Sequence, residues 1–135
     1  MLTLAATATV IEALAKQLDA PPRLLPSFGC NYDYAQPEVR VDASGYHFVV
    51  IERGRELQHK VFQQLEGLLF EVFSAITFSM ALDYELQHRV KEQDSRIIMF
   101  AKQVELLAQL DAEWAARRRA EADWYLARQP GPRQA

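Results

Sequence analysis

The stretch YHFVVIERGRELQHKV, residues 46–61, decides the fold class, because the sequence takes on a period of two within it. Phe48–Ile51 is apolar at every position, which is typical of a strand covered on both faces of a sheet. Gly54 then allows a sharp bend or a bulge. After it, every second residue is apolar or a histidine, so we expect a further strand antiparallel to the first.

The residues before this stretch extend the same pattern. Val39 and Val41 alternate with Arg40 and Asp42, and the short run 43–45 offers a turn. The strand that holds Phe48 would then lie in the centre of its sheet. The sequence therefore predicts a small antiparallel sheet, a meander of three strands.

Helical periodicity flanks the sheet on both sides. Residues 3–19 predict an amphipathic N-terminal helix with Thr3 as its cap. From about residue 63 a long helix begins that is apolar nearly all round, which indicates burial. Asp94 and Asp111 each precede a further helical pattern and are candidate caps. The predicted fold class is α+β, with an N-terminal helix, a three-stranded sheet and three C-terminal helices packed on it.

Bulk composition sets limits on the function. A chain of 135 residues predicts one domain, here residues 1–129 followed by a flexible tail at 130–135. The net charge of −3 and the pI of about 5.6 favour neither nucleic acid nor an anionic membrane as a partner. The lone Cys30 and a start without the basic residues of a signal peptide favour a cytoplasmic protein.

A hexamer occurs twice, as ELQHKV at 56–61 and ELQHRV at 85–90, and each copy holds a Glu and a His three residues apart. Paired Glu-x-x-His motifs hold the metals of ferritin-like bundles. Residues three apart share a face in a helix, so Glu85 and His88 can converge. In a strand they point to opposite faces, so we expect Glu56 and His59 to diverge. This favours no metal, no cofactor and no catalytic residues, with a metal-dependent enzyme that uses Glu85 and His88 as the alternative.

Charged residues of both signs cluster at the ends of the predicted elements. Such residues either clamp elements together or form a recognition surface, and we take them as the candidate partner-binding residues. They are Glu52, Arg53, Glu56, Glu85, Arg89, Asp94 and Arg96.

An ordered set of motifs runs through residues 45–120. It comprises Tyr-His-x-Val and Glu-Arg-Gly-x-Glu within Tyr46–Glu56, a helix with Met-Ala and Tyr-Glu-Leu within Phe73–Arg89, Asp-x-Arg at 94–96, Phe-x-x-Gln-x-x-Leu-Leu at Phe100–Leu107, and Trp114. In this set the chain resembles the immunity protein 63 family of bacterial polymorphic toxin systems. It departs from the family pattern between the strand and the long helix, where it has KVFQQLEG, and at Ile97.

The resemblance implies a small cytoplasmic antidote that is not an enzyme. Such a protein binds a cognate toxin domain and blocks it. A slightly acidic protein suits a basic toxin such as a nuclease, because complementary charge speeds encounter. A helical scaffold protein is a further alternative, in which Trp114, Trp124 and Tyr125 would form the contact of a homodimer.

Overall fold

The computed structural model describes residues 1–33 and 35–128. The predicted tail at 130–135 lies outside the described residues. The elements, in chain order, are α1 (Leu4–Gln17), a short 3-10 turn (Pro22–Leu24), β1 (Ser27–Phe28), β2 (Glu38–Asp42), β3 (Gly45–Glu52), β4 (Arg55–Phe62), α2 (Leu65–Gln87), α3 (Ser95–Ala108) and α4 (Ala112–Arg128). The α+β class is confirmed, with one helix before the sheet and three after it.

The sheet has four strands in the order β1-β2-β3-β4. β2, β3 and β4 form the predicted antiparallel meander, with β3 between its two neighbours. The sequence prediction missed β1, which pairs in parallel with the start of β2. β1 is only two residues long and lies in a segment rich in Pro and Gly, so it leaves no periodic signal.

The chain forms two compact units, the first ending at Phe73 and the second beginning at Ser74, and α2 runs through this boundary. In the first unit the hydroxyl of Thr3 accepts a hydrogen bond from the amide of Ala6 at 3.1 Å and so caps α1, as predicted. Ile11 and Ala15, one helical turn apart, are buried. The chain start is held at the sheet, because the amide of Leu2 donates to the hydroxyl of Tyr46 at 2.8 Å.

The β3–β4 hairpin turns at Arg53 and Gly54, whose φ angles of 54° and 71° both lie in the left-handed region. Two successive positive φ angles are typical of a type I′ turn, which matches the twist of the flanking strands. Gly54 therefore forms a sharp bend, which is one of the two roles, bend or bulge, that the sequence predicted for it. The bulge lies further along, at Leu57, because Val50 pairs with Gln58 whereas Ile51 pairs with Glu56.

The second unit is helical. Asp94 caps α3 by accepting from the amide of Arg96 at 3.0 Å, and Asp111 precedes α4 and accepts from the amide of Glu113 at 2.8 Å, so both predicted caps are confirmed. A cluster of buried residues joins the three helices, formed by Ala81, Met99, Phe100 and Ala122, with Leu126 packed against it.

The helix α2 is partly exposed, whereas the sequence predicted that it is buried all round. Phe78 and Leu82 lie one turn apart and are 42% and 41% exposed. By length and composition α2 is the one helix in residues 1–33 and 35–128 that could cross a bilayer, and half of its most apolar window is buried within the protein. A core helix of a soluble protein meets the same two criteria.

Candidate functional site

One face of the sheet carries a group of polar side chains that we call the polar sheet face. Residues two apart in a strand share a face, and residues opposite each other on paired strands share it too. Arg40 lies opposite His47, and Val49 lies between Glu38 on one side and His59 on the other. The polar members of this face are Glu38, Arg40, Asp42, His47, Glu56 and His59.

The expectation that Glu56 and His59 diverge is wrong. His59 Nδ1 lies 3.1 Å from Glu56 Oε1, which is a hydrogen-bond distance. The reason is the bulge at Leu57, which adds one residue to β4 between them. In a regular strand residues three apart face opposite ways, and the extra residue restores a shared face.

The two histidines join two carboxylates into a continuous row, which we call the histidine chain. His47 Nε2 lies 2.8 Å from Asp42 Oδ1, and His47 Nδ1 lies 2.8 Å from His59 Nε2. His59 Nδ1 then meets Glu56 at the far end. His47 is buried, whereas the two carboxylates at the ends of the chain are about half exposed. Polar groups of three strands are thereby linked across the sheet.

Asp42 is held in its ionised form. Its Oδ1 accepts from His47 and also from the amide of Ser44 at 2.8 Å. The hydrogen bond with His47, followed by the one from Ser44, lowers the pKa of Asp42 below its usual value of 3.8.

Glu38 is a buried carboxylate, only 3% exposed, at the start of β2. Its Oε2 accepts from Arg40 Nε at 2.9 Å, and its Oε1 has no hydrogen-bond partner within the described part of the chain. The hydrogen bond with Glu38 raises the pKa of Arg40, and the charges of Glu56 and Asp42 act on it in the same direction. Arg40 therefore balances three carboxylates of the polar sheet face.

Glu52 and Arg53, two of the predicted partner-binding residues, lie at the tip of the β3–β4 hairpin and are exposed. Glu52 pairs with Arg55 across the hairpin, and the amide of Gly54 donates to Asp33 Oδ1 at 2.8 Å. The backbone of the tip is thus fixed by hydrogen bonds while these two charged side chains remain accessible.

Glu85 on α2 and Arg89, just beyond the end of the helix, form an ion pair four residues apart. The guanidinium donates to both carboxylate oxygens, at 2.8 and 3.2 Å. Glu85 is buried at 4% exposure, whereas the side chain of Arg89 is 43% exposed. The hydrogen bond with Glu85 raises the pKa of Arg89. The arginine therefore neutralises a buried carboxylate and keeps part of its own surface accessible.

Asp94 and Arg96 form a second pair, at 3.0 Å, beside the start of α3. The same Asp94 carboxylate caps α3, so at least one of its roles is to stabilise the start of this helix. Among the predicted residues, the structure thus pairs Glu85 with Arg89 and Asp94 with Arg96, whereas Glu52, Arg53 and Glu56 lie on the β3–β4 hairpin and Glu56 meets His59.

In the metal-binding alternative, Glu85 and His88 would bind the same metal ion. Both oxygens of Glu85 are engaged by Arg89. His88 Nδ1 donates to the carbonyl of Tyr84 at 2.8 Å, and its ring stacks on the ring of Tyr84 with centroids 3.9 Å apart. Among the described residues, no group of three or more His, Cys, Asp or Glu side chains is arranged to hold a metal ion.

The aromatic patch predicted near the chain end is smaller than expected. Trp114 is buried at 6% exposure, because it lies in the first turn of α4 and faces the interior. Trp124 and Tyr125 are exposed and meet edge to face with centroids 5.1 Å apart. The guanidinium of Arg128 lies over the ring of Trp124 at 4.5 Å.

Most of the polar sheet face was missed by sequence reasoning, which selected only Glu56 from it. The signal was present, since Glu38, Arg40 and Asp42 alternate along one strand and a short turn places His47 opposite them. This alternation indicates a cluster of polar side chains only when the register of the strands is known, because the register brings His59 beside His47.

Comparison with protein families gives one match. The model of the immunity protein 63 family matches residues 42–123, which is more than half of the chain. The matched span holds the histidine chain and the charged pairs of α2 and α3. Neither the comparison with curated proteins nor that with solved structures gave a match.

Proposed function

Because the chain belongs to the immunity protein 63 family, we propose that it binds a cognate bacterial toxin domain directly and neutralises it. The observation that carries this proposal is the family match across 42–123, which runs from the end of β2 into α4. In this proposal the protein acts in the cytoplasm, catalyses no reaction and blocks the toxin by occupying its surface.

The exposed charged groups supply the proposed contacts. Glu52, Arg53 and Glu56 are the candidates of the first unit, on the β3–β4 hairpin, and Arg89 is a separate candidate in the second unit. The buried Glu85 positions Arg89, whose side chain is 43% exposed, and the helix cap Asp94 positions Arg96, whose side chain is 21% exposed, so Arg89 offers the larger accessible surface to the toxin. A stable complex of this kind would bury on the order of 1,600 Å² in total.

The proposed toxin carries a basic surface, as a nuclease does. The chain has a net charge of −3, and the polar sheet face holds three carboxylates against one arginine. Opposite charge speeds the encounter of two proteins and disfavours like-charged partners. Charge at this level affects the rate of association more than the choice of toxin chemistry.

Co-expression with a candidate cognate toxin domain tests the proposal. We expect a complex that survives gel filtration and growth of cells that the toxin alone would kill. If the toxin is active and the two proteins give neither a complex nor rescue, the proposal is wrong for this partner.

Charge reversal locates the contact. Glu52→Lys places a positive charge on the exposed hairpin tip without removing a buried partner, so we expect a Kd for the basic toxin raised about tenfold or more, mostly through slower association. Glu12→Lys is the matched control, since Glu12 is exposed on α1 and lies outside the family match. Equal affinities in all variants would exclude the hairpin tip from the interface.

Self-association remains the second candidate, and the exposed pair Trp124 and Tyr125 favours it. The two rings and Ala120 line a groove of about 330 Å³ on α4. Light scattering of the isolated chain decides this point. A mass that falls from dimer to monomer in Trp124→Ala would support a homodimer, and a monomeric parent chain would exclude it.

A further inference from the structure

The contacts of the histidine chain require a fixed number of hydrogen atoms. It contains three short contacts, from Asp42 to His47, from His47 to His59 and from His59 to Glu56. Each contact needs one hydrogen between its two heavy atoms. Ionised carboxylates bring none, and two neutral imidazoles bring one N–H each. The row is therefore one hydrogen short if both rings are neutral.

We infer that His47 and His59 together bind one additional proton, which they share across the polar sheet face. In one form His59 is the imidazolium and donates to both Glu56 and His47. In the other form His47 is the imidazolium and donates to both Asp42 and His59. The two forms differ only in the position of one hydrogen along the 2.8 Å contact between the rings.

A second additional proton does not fit the same geometry. It would place an N–H on both His47 Nδ1 and His59 Nε2, which are 2.8 Å apart and would then have no acceptor between them. The pair is therefore expected to take up one proton as a unit rather than two in independent steps, as coupled groups do.

The charges around the rings suit one positive charge. On β2 the rings face Asp42, Arg40 and Glu38, and on β4 they face Glu56. Arg40 opposes a further cation, and its charge is already engaged by Glu38 at 2.9 Å. With the shared proton, three carboxylates meet one guanidinium and one imidazolium, so the face keeps a single net negative charge.

The proton also controls a residue of the proposed interface. When it is present, the Glu56 carboxylate is held by His59, and when it is lost, one of the three hydrogen bonds must break. If the hydrogen bond that breaks is the one between His59 and Glu56, the Glu56 carboxylate becomes free to bind a cationic group of the toxin. This consequence rests on the proposed function, whereas the proton site does not and is tested without a toxin.

Glu56→Gln is the sharpest variant. A glutamine amide can donate its own N–H to His59 Nδ1, which satisfies all three contacts with two neutral rings. The variant therefore removes the need for the additional proton while it preserves size and position. Glu52→Gln is the matched control, because it neutralises an exposed carboxylate at the end of β3 that is outside the histidine chain.

Long-range ¹H–¹⁵N NMR of the full chain counts protonated ring nitrogens directly, with His88→Gln used to assign the third histidine. The pH is lowered from about 8.5 to 5.5, which covers the region where histidine changes charge. Over this range we expect the His47 and His59 rings to gain one proton in total, at a midpoint that both rings share. Glu52→Gln should behave in the same way. In Glu56→Gln the four ring nitrogens should still carry only two protons at the pH where the parent chain carries three.

Separate midpoints with one proton gained by each ring, or a Glu56→Gln profile identical to that of the parent, would overturn the inference. His59→Gln provides a second test that leaves one ring in place. His47 should then gain its proton at a midpoint different from the shared one, and an unchanged His47 profile would show that the rings do not act as a pair.

Discussion

β3 and β4 are hydrogen-bonded partners of equal length, eight residues each, but they differ sharply in burial. Six consecutive residues of β3, from Gly45 to Val50, are buried. In β4 every residue from Arg55 to Val61 is exposed. The two strands share one ladder of hydrogen bonds, so the backbone pairing alone does not set burial.

The difference follows from position in the sheet. β3 has a strand on each side, whereas β4 is one of the two edge strands and, within the described part of the chain, pairs only with β3. A central strand stabilises the fold through apolar packing on both faces. An edge strand is free to present side chains to other molecules, and charged residues protect it from unwanted pairing. Buried packing and exposed surface are thus divided between the two halves of one hairpin.

The largest expected effect comes from equivalent truncations in the two strands. Phe48→Ala in β3 removes a side chain that is 3% exposed and should cost about 3–5 kcal/mol in the free energy of unfolding. Leu57→Ala in β4 removes one that is 53% exposed and should cost less than about 1 kcal/mol. Urea denaturation of both variants measures the two values. Similar losses would show that β4 is packed in solution and would remove the contrast.

The next effect compares Gly45, the first residue of β3, with Gly54, which lies in the turn between β3 and β4. A Cβ on Gly45 would lie 2.6 Å from the carbonyl oxygen of Phe62, and the φ of +138° is itself unfavourable for alanine. Gly45→Ala should therefore cost more than about 2 kcal/mol. A Cβ on Gly54 meets nothing within 4 Å, so Gly54→Ala should cost only the strain of its φ of +71°, about 1 kcal/mol. Thermal unfolding of the two variants measures the loss of stability at each position. A larger loss in Gly54→Ala than in Gly45→Ala would contradict the prediction.

Removal of a charged partner should also depend on the strand. Arg40→Ala in β2 leaves the buried Glu38 carboxylate without its hydrogen-bond donor, and because the arginine is partly exposed we expect a loss of about 1–3 kcal/mol. Lys60→Ala in β4 removes a pair with Glu71 whose lysine is about half exposed, and should cost about 0–1 kcal/mol. Chemical denaturation at low and high salt separates the two cases. A greater loss in Lys60→Ala would mean that the edge strand carries the more important pair.

The smallest effect is a dependence on pH. The hydrogen bond with His47 lowers the pKa of Asp42 in the folded protein below the unfolded value, near 3.8, so the carboxylate stabilises the fold above that pH. This contribution is lost as the pH falls through the lower, folded value. The melting temperature of the parent chain should exceed that of Asp42→Asn at pH 6, and the difference should shrink toward pH 3. A difference that is constant with pH would show that Asp42 acts only through its shape.

The sequence allowed the architecture to be predicted wherever a local signal exists. The apolar run at Phe48–Ile51 placed β3 in the centre of the sheet, and Thr3, Asp94 and Asp111 marked the helix starts. Each of these features depends on residues close to one another in the chain. The family resemblance, read from ordered motifs, is likewise confirmed.

The features that were missed depend on distant pairing. The bulge at Leu57 reflects the register of β4 against β3, and the alternation in ELQHKV gives no sign of it. The burial of Glu38 could not be predicted, because a carboxylate is rarely buried unless it is paired, whereas the burial of Trp114 agrees with the usual behaviour of tryptophan and should have been preferred to a surface patch. The histidine chain needs the bulge, the turn at 43–44 and the register together.

The bulge at Leu57 has one more consequence, for behaviour at high concentration. An uninterrupted, flat edge strand of eight residues is a template on which further chains add, and repeated addition leads to fibrils. One unpaired residue bends the strand and increases its local twist, so that a second copy cannot align along its whole length. The irregularity that turns Glu56 toward His59 thus also keeps the edge of the sheet resistant to aggregation.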